Sequence, residues 1–204
     1  MPGSHTSRDK SWLNGSWIQT HSSNKFFPLA PEHEESVLDI GDIAHSLSMQ
    51  CRFNGHTQFF FSVAQHCCEV CDLVWAETKD PRLALWGLLH DAAEAYLTDL
   101  PKPIKEQMPQ YKEMENKLLK YIIQHYELKW PQPQIVSKYD IVMLMTERDW
   151  LLGPPPEEWT IGVSDEYQAL PVFPNLILDQ KAAKNRFLFR FKDLTKMIGE
   201  LNDR

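Results

Sequence analysis

Apolar residues recur every three or four positions along most of the chain, which is the pattern of amphipathic α-helices. The pattern predicts helices over 41–50, 62–78, 80–96, 109–127, 134–152 and 179–202. Two short apolar pieces near the start, 16–20 and 26–29, predict a hairpin or an arm packed on the core. The expected fold class is therefore all-α, with one compact helical domain.

Local signals mark several helix ends. Ser62 stands where an N-cap is needed, and Asp80 followed by Pro81 is a typical helix start. Gly153 and the three prolines after it stop the preceding helix. We therefore divide the chain into an N-terminal arm over 1–38, a core over 39–153, and an irregular segment with a C-terminal helix over 154–204.

Composition narrows the classes of function. The chain has 204 residues, 43% hydrophobic and 24% charged, as expected for one globular domain. Its formal net charge of -7 and the lack of a basic run argue against a surface that binds duplex nucleic acid, but not against a small anionic substrate. No signal peptide or membrane span is apparent in the sequence, so we expect a cytoplasmic protein without membrane partners.

The four cysteines do not form a secreted-type disulfide framework. Cys67, Cys68 and Cys71 fall within five residues, and adjacent cysteines rarely pair with each other. Cys68-x-x-Cys71 resembles half of a zinc site, but no second pair follows. We interpret these residues as reduced thiols packed on a helix.

The adjacent pair His90-Asp91 is the strongest chemical signal. It follows two leucines and precedes two alanines, which predicts a position in the middle of an apolar helix. A buried charge needs a partner, and a divalent cation is one. Glu94, four residues after His90 and three after Asp91, is expected on the same side of that helix.

Further residues can complete a metal site. His66 lies on the preceding helix, and Asp140 lies at the edge of a later apolar face. Two imidazoles and two carboxylates suit Zn, Co or Mn and tolerate Mg. Taken alone, His66 is more often a core or surface histidine and Asp140 more often a cap or surface carboxylate, whereas the pair His90-Asp91 fits either interpretation equally. His45 and His56 are alternative ligands, which we interpret as packing or loop residues.

The order of these residues resembles that of the HD-domain phosphohydrolases. The resemblance rests on four pieces in this order: 63–66, 88–94, 98–101 and Asp140. The pieces 42–47 and 51–56 further resemble the small branch that contains bacterial 5'-deoxynucleotidases and phage dATP triphosphohydrolases. The similarity covers about residues 16–150. It implies an HD-domain helical fold.

The resemblance also implies a role for each matching residue. The metal ligands are expected to be His66, His90, Asp91 and Asp140. Glu94 matches the catalytic carboxylate. The residues expected near the substrate are Arg52, Phe53, Asp99, Lys102 and Lys105. Phe53 stands where the deoxynucleotidases have Trp, and the two lysines follow the Asp99 motif, where they can neutralise phosphates.

The activity implied by the resemblance is cleavage of the 5' phosphoester of a deoxynucleotide in a bacterial or phage-infected cell. A dATP or dNTP triphosphohydrolase is the first expectation, and a 5'-deoxynucleotidase acting on dNMPs is the alternative. A non-catalytic nucleotide sensor is a more remote one. The binuclear phosphodiesterases of the superfamily need further histidines, and only His125 follows the pair. We expect a homo-oligomer.

Overall fold

The structure is a computed structural model that describes residues 16–160 and 166–202, most of which are helical. The helices are α1 (Ile40–Met49), α2 (Val63–Thr78), α3 (Pro81–Leu89), α4 (Glu94–Leu97), α5 (Lys102–Lys105), α6 (Pro109–His125), α7 (Gln134–Leu151) and α8 (Gln180–Asn202). A short 3-10 helix spans Arg52–Gly55. The prediction of an all-α fold is confirmed.

Helix α2 forms the centre of the core and contacts α1, α3, α7 and α8. Small residues allow this close packing. A Cβ added to Gly87 of α3 would lie 3.1 Å from the backbone of Cys71, so the two helices approach closely there. Cys67, Cys68 and Cys71 are buried free thiols on α2, as the packing interpretation predicted.

The predicted helix starts are confirmed by their caps. The Ser62 side chain accepts a hydrogen bond from the backbone N–H of Gln65. The Asp80 carboxylate accepts from the backbone N–H groups of Arg82 and Leu83. Each cap satisfies backbone donors that the first helical turn leaves free.

The predicted position of His90-Asp91 in the middle of a helix is wrong. Helix α3 ends at Leu89, and the pair lies in tight turns that connect it to α4. The backbone N–H of Ala92 donates to the Leu89 carbonyl, and that of Glu94 donates to the Asp91 carbonyl. These three-residue turns wind more tightly than an α-helix, so the side chains diverge from α-helical positions.

The two apolar pieces near the start form a small antiparallel hairpin. Strand β1 (Ile18–Gln19) pairs with β2 (Lys25–Phe26), with Ile18 opposite Phe26. Phe26 is buried and stacks on Tyr96 of α4, with ring centroids 3.9 Å apart. The hairpin thus packs on the core. Residues 1–15 of the predicted arm lie outside the described residues.

The C-terminal part of the chain returns to the core. Helix α8 contacts α1, α2 and α3. Arg186 of α8 donates to Glu69 of α2 at 2.7 Å and to Asp72 at 2.6 Å. Of the predicted irregular stretch before this helix, 161–165 lie outside the described residues. In the part of the chain that the structure describes, no helix is long and apolar enough to cross a membrane.

Candidate metal centre

The four predicted metal ligands converge from three separate elements. His66 comes from α2, His90 and Asp91 from the turns after α3, and Asp140 from α7. His66 Nε2 lies 3.2 Å from His90 Nε2 and 3.2 Å from Asp140 Oδ1. Asp91 Oδ2 lies 3.3 Å from His90 Nε2 and 3.6 Å from His66 Nε2. The structure therefore contains a group of side chains that could hold a metal ion.

The spacing of these atoms fits a shared ion. Ligand atoms about 2.1 Å from one ion lie about 3.0 Å apart at right angles and about 3.4 Å apart in a tetrahedron. The distances between neighbouring atoms here run from 3.2 Å to the 3.7 Å between His90 Nε2 and Asp140 Oδ1. His66, His90 and Asp140 therefore offer three atoms at spacings that suit one ion, and Asp91 Oδ2 lies close to both imidazoles.

Both imidazoles are oriented by their second nitrogen. His66 Nδ1 lies 2.6 Å from Glu147 Oε1, and His90 Nδ1 lies 2.7 Å from the Gly87 carbonyl oxygen. An acceptor at Nδ1 holds the ring proton there and leaves the Nε2 lone pair for a metal. Glu147 was not anticipated from the sequence, although its position seven residues after Asp140 places it on the same face of α7.

Electrostatics couples the histidines to the carboxylates. Burial alone would lower the pKa of His66, but Glu147 and Asp140 raise it. Burial alone would also lower the pKa of His90. The nearby carboxylates of Asp91 and Asp140 instead raise this pKa well above the ordinary value. The same contacts lower the pKa of Asp91 and Asp140, although burial alone would raise it. A metal ion bound at these side chains would therefore compete with protons for the same atoms.

Arg52 is buried behind the cluster and is surrounded by carboxylates. Its Nε donates to Glu147 Oε2 at 3.1 Å. Its Nη1 lies 3.8 Å from both Asp91 Oδ2 and Asp99 Oδ2. Arg52 thereby links a metal-ligand candidate, an orienting carboxylate and the Asp99 motif. Its predicted contact with substrate phosphate stays a prediction.

Glu94 lies beside the cluster and is bound by a lysine. Lys105 Nζ donates to Glu94 Oε1 at 3.0 Å and to Glu115 Oε1 at 2.7 Å. Burial is the main cause that raises the pKa of Glu94 well above its ordinary value, and the charges of Asp91 and Asp99 add to it. We expected Lys105 to be available to a phosphate. In the structure, its ammonium group already binds two carboxylates.

A cavity of about 630 Å³ opens beside the cluster. Every predicted site residue except the two histidines lines it: Arg52, Phe53, Asp91, Glu94, Asp99, Lys102, Lys105 and Asp140. Residues 156–160 also line this cavity, and Trp159 among them was not anticipated from the sequence. The cavity therefore brings residues from distant parts of the chain to one surface.

Phe53 reaches the cavity from an unusual backbone conformation. Its φ of 54° lies in the left-handed region, as do the φ angles of Asn54 (52°) and Gly55 (79°). Such a conformation disfavours a residue with a Cβ by roughly 1–2 kcal/mol. Backbone strain of this kind concentrates at functional sites.

Other candidate ligands have different positions. His45 stacks on His21, with ring centroids 3.6 Å apart, and His56 and His125 are exposed. In the described part of the chain, neither Cys68 nor Cys71 belongs to a group that could hold a metal, whereas Cys67 forms one with His90 and Asp91. Burial raises the pKa of the Cys67 thiol well above its ordinary value.

The chain is similar to a bacterial protein over nearly its whole length. It is 36% identical over 186 residues to the uncharacterized protein YfdR of Escherichia coli (strain K12), covering 89% of this chain and 97% of YfdR. The chain belongs to the YfdR family. A shorter stretch of 86 residues is 36% identical to the uncharacterized protein RCAP_rcc00048 of Rhodobacter capsulatus, covering 40% of this chain and 44% of that protein.

No protein-family model matches the sequence. Neither the name of YfdR nor that of the Rhodobacter protein states an activity. For this member of the YfdR family, function therefore has to be argued from the arrangement of the side chains.

Proposed function

We propose that this protein is a divalent-metal-dependent phosphohydrolase of the HD type that acts on deoxynucleotides. The proposal rests on one observation: beside a 630 Å³ cavity, Asp91 and Asp140 each place a carboxylate oxygen within 3.7 Å of the Nε2 atoms of both buried histidines. Their order along the chain is one His, an adjacent His-Asp pair and a distant Asp. This order is the one that the HD resemblance implies.

The residues that would hold the ion are His66, His90, Asp91 and Asp140. The histidines would bind through Nε2, because each Nδ1 already has an acceptor. This donor set suits Zn, Co or Mn and tolerates Mg. When bound, such an ion supplies polarisation of the phosphoryl group and acidification of water.

Glu94 is the group to which we assign the proton transfer. In hydrolysis of the 5' phosphoester, a water oxygen bonds to phosphorus, the bond from phosphorus to O5' breaks, and a proton must reach O5'. Because its pKa is raised, the Glu94 carboxyl group keeps a proton to higher pH than an ordinary glutamic acid and can deliver it to O5'. Lys105 occupies Oε1, whereas Oε2 is buried and has no hydrogen-bond partner among the described residues, so we assign the proton to Oε2.

The first candidate substrate is a deoxynucleoside triphosphate such as dATP, cleaved to deoxynucleoside and triphosphate. The volume of 630 Å³ falls in the range of sites for small ligands and cofactors. Lys102 lines the cavity and is exposed, so its ammonium group can reach an outer phosphate. Phe53 lines the same cavity and would crowd a ribose 2'-hydroxyl.

The second candidate is a 5'-deoxynucleotidase that acts on monophosphates. The double pairing of Lys105 with Glu94 and Glu115 favours it, because that lysine is less free to neutralise an outer phosphate. A monophosphate needs fewer cations than a triphosphate. The reaction at the phosphorus next to O5' is the same in both cases.

Product analysis separates these candidates. Metal-loaded protein is incubated with each dNMP, dNTP and NTP, and the products are identified by chromatography. Deoxynucleoside and triphosphate from dNTPs would support the first candidate. Turnover of dNMPs with intact dNTPs would support the second. Pyrophosphate with a monophosphate would contradict both, and nucleotide binding without turnover would favour a sensor.

A further inference from the structure

The segment after α7 returns to the cavity and brings an indole ring to it. Helix α7 ends at Leu151, and residues 156–160 line the cavity together with Asp91 and Asp140. Trp159 is half-buried there. A tryptophan thus faces the same space as two candidate metal ligands, although it lies 19 residues beyond Asp140 in the sequence.

Two neighbours hold this indole ring. The Phe53 ring meets it edge to face, with centroids 6.2 Å apart and an interplanar angle of 64°. The Arg148 guanidinium of α7 lies over it, 5.7 Å from the ring centroid. Aromatic and cation–π contacts of this kind favour one orientation of the ring, and the half-buried Trp159 side chain keeps part of its surface exposed.

Two chemically different groups of residues are among those that line the cavity, one carboxylate and one apolar or aromatic. Asp91, Glu94 and Asp140 provide carboxylates, whereas Leu100, Ile141 and Leu144 provide apolar surface alongside the two aromatic rings. A nucleotide has the same two-part character, with an anionic phosphate and a flat, largely apolar base. The carboxylates need a metal ion to accept a phosphate, but the aromatic rings can accept a base directly.

We propose that Trp159 stacks on the nucleobase and thereby makes the site select nucleoside phosphates over simple phosphate esters. This inference rests on the proposed function, since it assigns the base end of the same substrate. Stacking is tolerant of base identity, because every base has a π-face. Trp159 therefore provides affinity for nucleosides as a class, and other contacts determine which base is preferred.

The test uses deoxyadenosine, which has no phosphate and cannot be hydrolysed at a phosphoester. Its binding to metal-loaded protein is measured by calorimetry for the wild type and for Trp159→Ala, Trp159→Phe and Trp150→Ala. Trp150 is an exposed tryptophan of α7 that does not line the cavity, so it is the matched control. We expect Trp159→Ala to weaken binding about tenfold or more. Trp159→Phe and Trp150→Ala should keep most of the affinity.

A fluorescence measurement distinguishes direct contact from a structural role. Deoxyadenosine should quench tryptophan emission in the wild type, and Trp159→Phe should lose this quenching while calorimetry still detects binding. Undetectable binding to the wild type, unchanged affinity in Trp159→Ala, or persistent quenching in Trp159→Phe would each overturn the inference. If deoxyadenosine binding depends on Trp159 but no nucleotide is hydrolysed, the proposed activity fails and the stacking role stands.

Discussion

Nδ1 of His66 lies 2.6 Å from Oε1 of Glu147, and both side chains are fully buried. The second oxygen of the same carboxylate accepts from Arg52 Nε at 3.1 Å. Glu147 therefore joins a candidate metal ligand to a buried guanidinium. Its negative charge is compensated on one side by Arg52 and used on the other to orient an imidazole.

Replacing this carboxylate with an amide should weaken metal binding. In Glu147→Gln we expect the affinity for Zn²⁺ or Mn²⁺ to fall about 10- to 100-fold, because a neutral amide has one acceptor oxygen for His66 and Arg52 instead of two and no longer raises the basicity of the imidazole. Competition with a chromogenic chelator measures this change. Glu113→Gln, at an exposed position of α6, is the control and should bind metal like the wild type. Equal affinities in the two variants would contradict the orienting role.

Removal of a direct ligand should have a larger effect. Asp91→Ala should lose bound metal and turnover, because a ligand oxygen is removed. It should keep its helical circular dichroism, because the Asp91 side chain is 19% exposed and lies in the turns between α3 and α4. Asp149→Ala removes an exposed carboxylate of α7 and is the matched control. Elemental analysis of both purified variants gives the metal content. Full occupancy in folded Asp91→Ala would remove Asp91 from the ligand set.

Glu94 and Glu115 offer a matched pair, because Lys105 donates to both. Glu94 lines the cavity, whereas Glu115 is not among its lining residues. Glu94→Gln should retain metal but lower kcat by about a hundredfold or more, as expected for loss of a general acid–base group. Glu115→Gln should keep kcat within a few fold. Similar losses of kcat in both variants would indicate that the position of Lys105, rather than the Glu94 carboxyl group, determines turnover.

Metal binding should stabilise the protein more as the pH rises. The lowered pKa values of Asp91 and Asp140 contribute stability above the ordinary value of 3.8, which is lost as the pH falls through the folded values. The raised pKa values of His66 and His90 contribute stability below 6.5, which is lost as the pH rises through the folded values.

In the pH window that starts at 6.5 and extends through the raised folded values, the metal-free protein should therefore lose the stabilisation that protonated histidines provide. Metal binding strengthens over the same window, because fewer protons compete for the imidazoles. The difference in Tm between metal-loaded and chelator-treated protein should grow across this window. Thermal melts at several pH values measure it. A difference that shrinks with pH would argue against imidazole ligands.

Substitution of Lys102, the exposed lysine that lines the cavity, tests whether the substrate is a triphosphate or a monophosphate. Lys102→Ala should lower kcat/KM for dATP about tenfold, since a hydrogen bond from a charged group contributes about 1.5–3 kcal/mol. Hydrolysis of dAMP should barely change. Lys120→Ala, at an exposed position of α6, serves as the control. Equal kcat/KM values for dATP in Lys102→Ala and the wild type would show that Lys102 does not bind the outer phosphates.

The sequence by itself determined the features that depend on neighbouring residues. Helical periodicity indicated an all-α fold, and Ser62 and Asp80 marked helix starts because a cap acts within three residues of its own position. The candidate ligands His66, His90, Asp91 and Asp140 could be named from their order along the chain. Their meeting within hydrogen-bonding distance could not be derived from spacing alone.

Tertiary structure decided the contacts between distant segments. The pairing of Lys105 with Glu94, the link from Arg52 to Glu147 across 95 positions, and the return of Trp159 to the cavity depend on how whole helices pack. The turns at His90 also escaped prediction. Leucines and alanines around His90 favour a continuous helix, whereas Nδ1 of His90 contacts the Gly87 carbonyl oxygen and its Nε2 faces α2 and α7. Local periodicity contains no information on such contacts, because their free energy arises only when the elements come together.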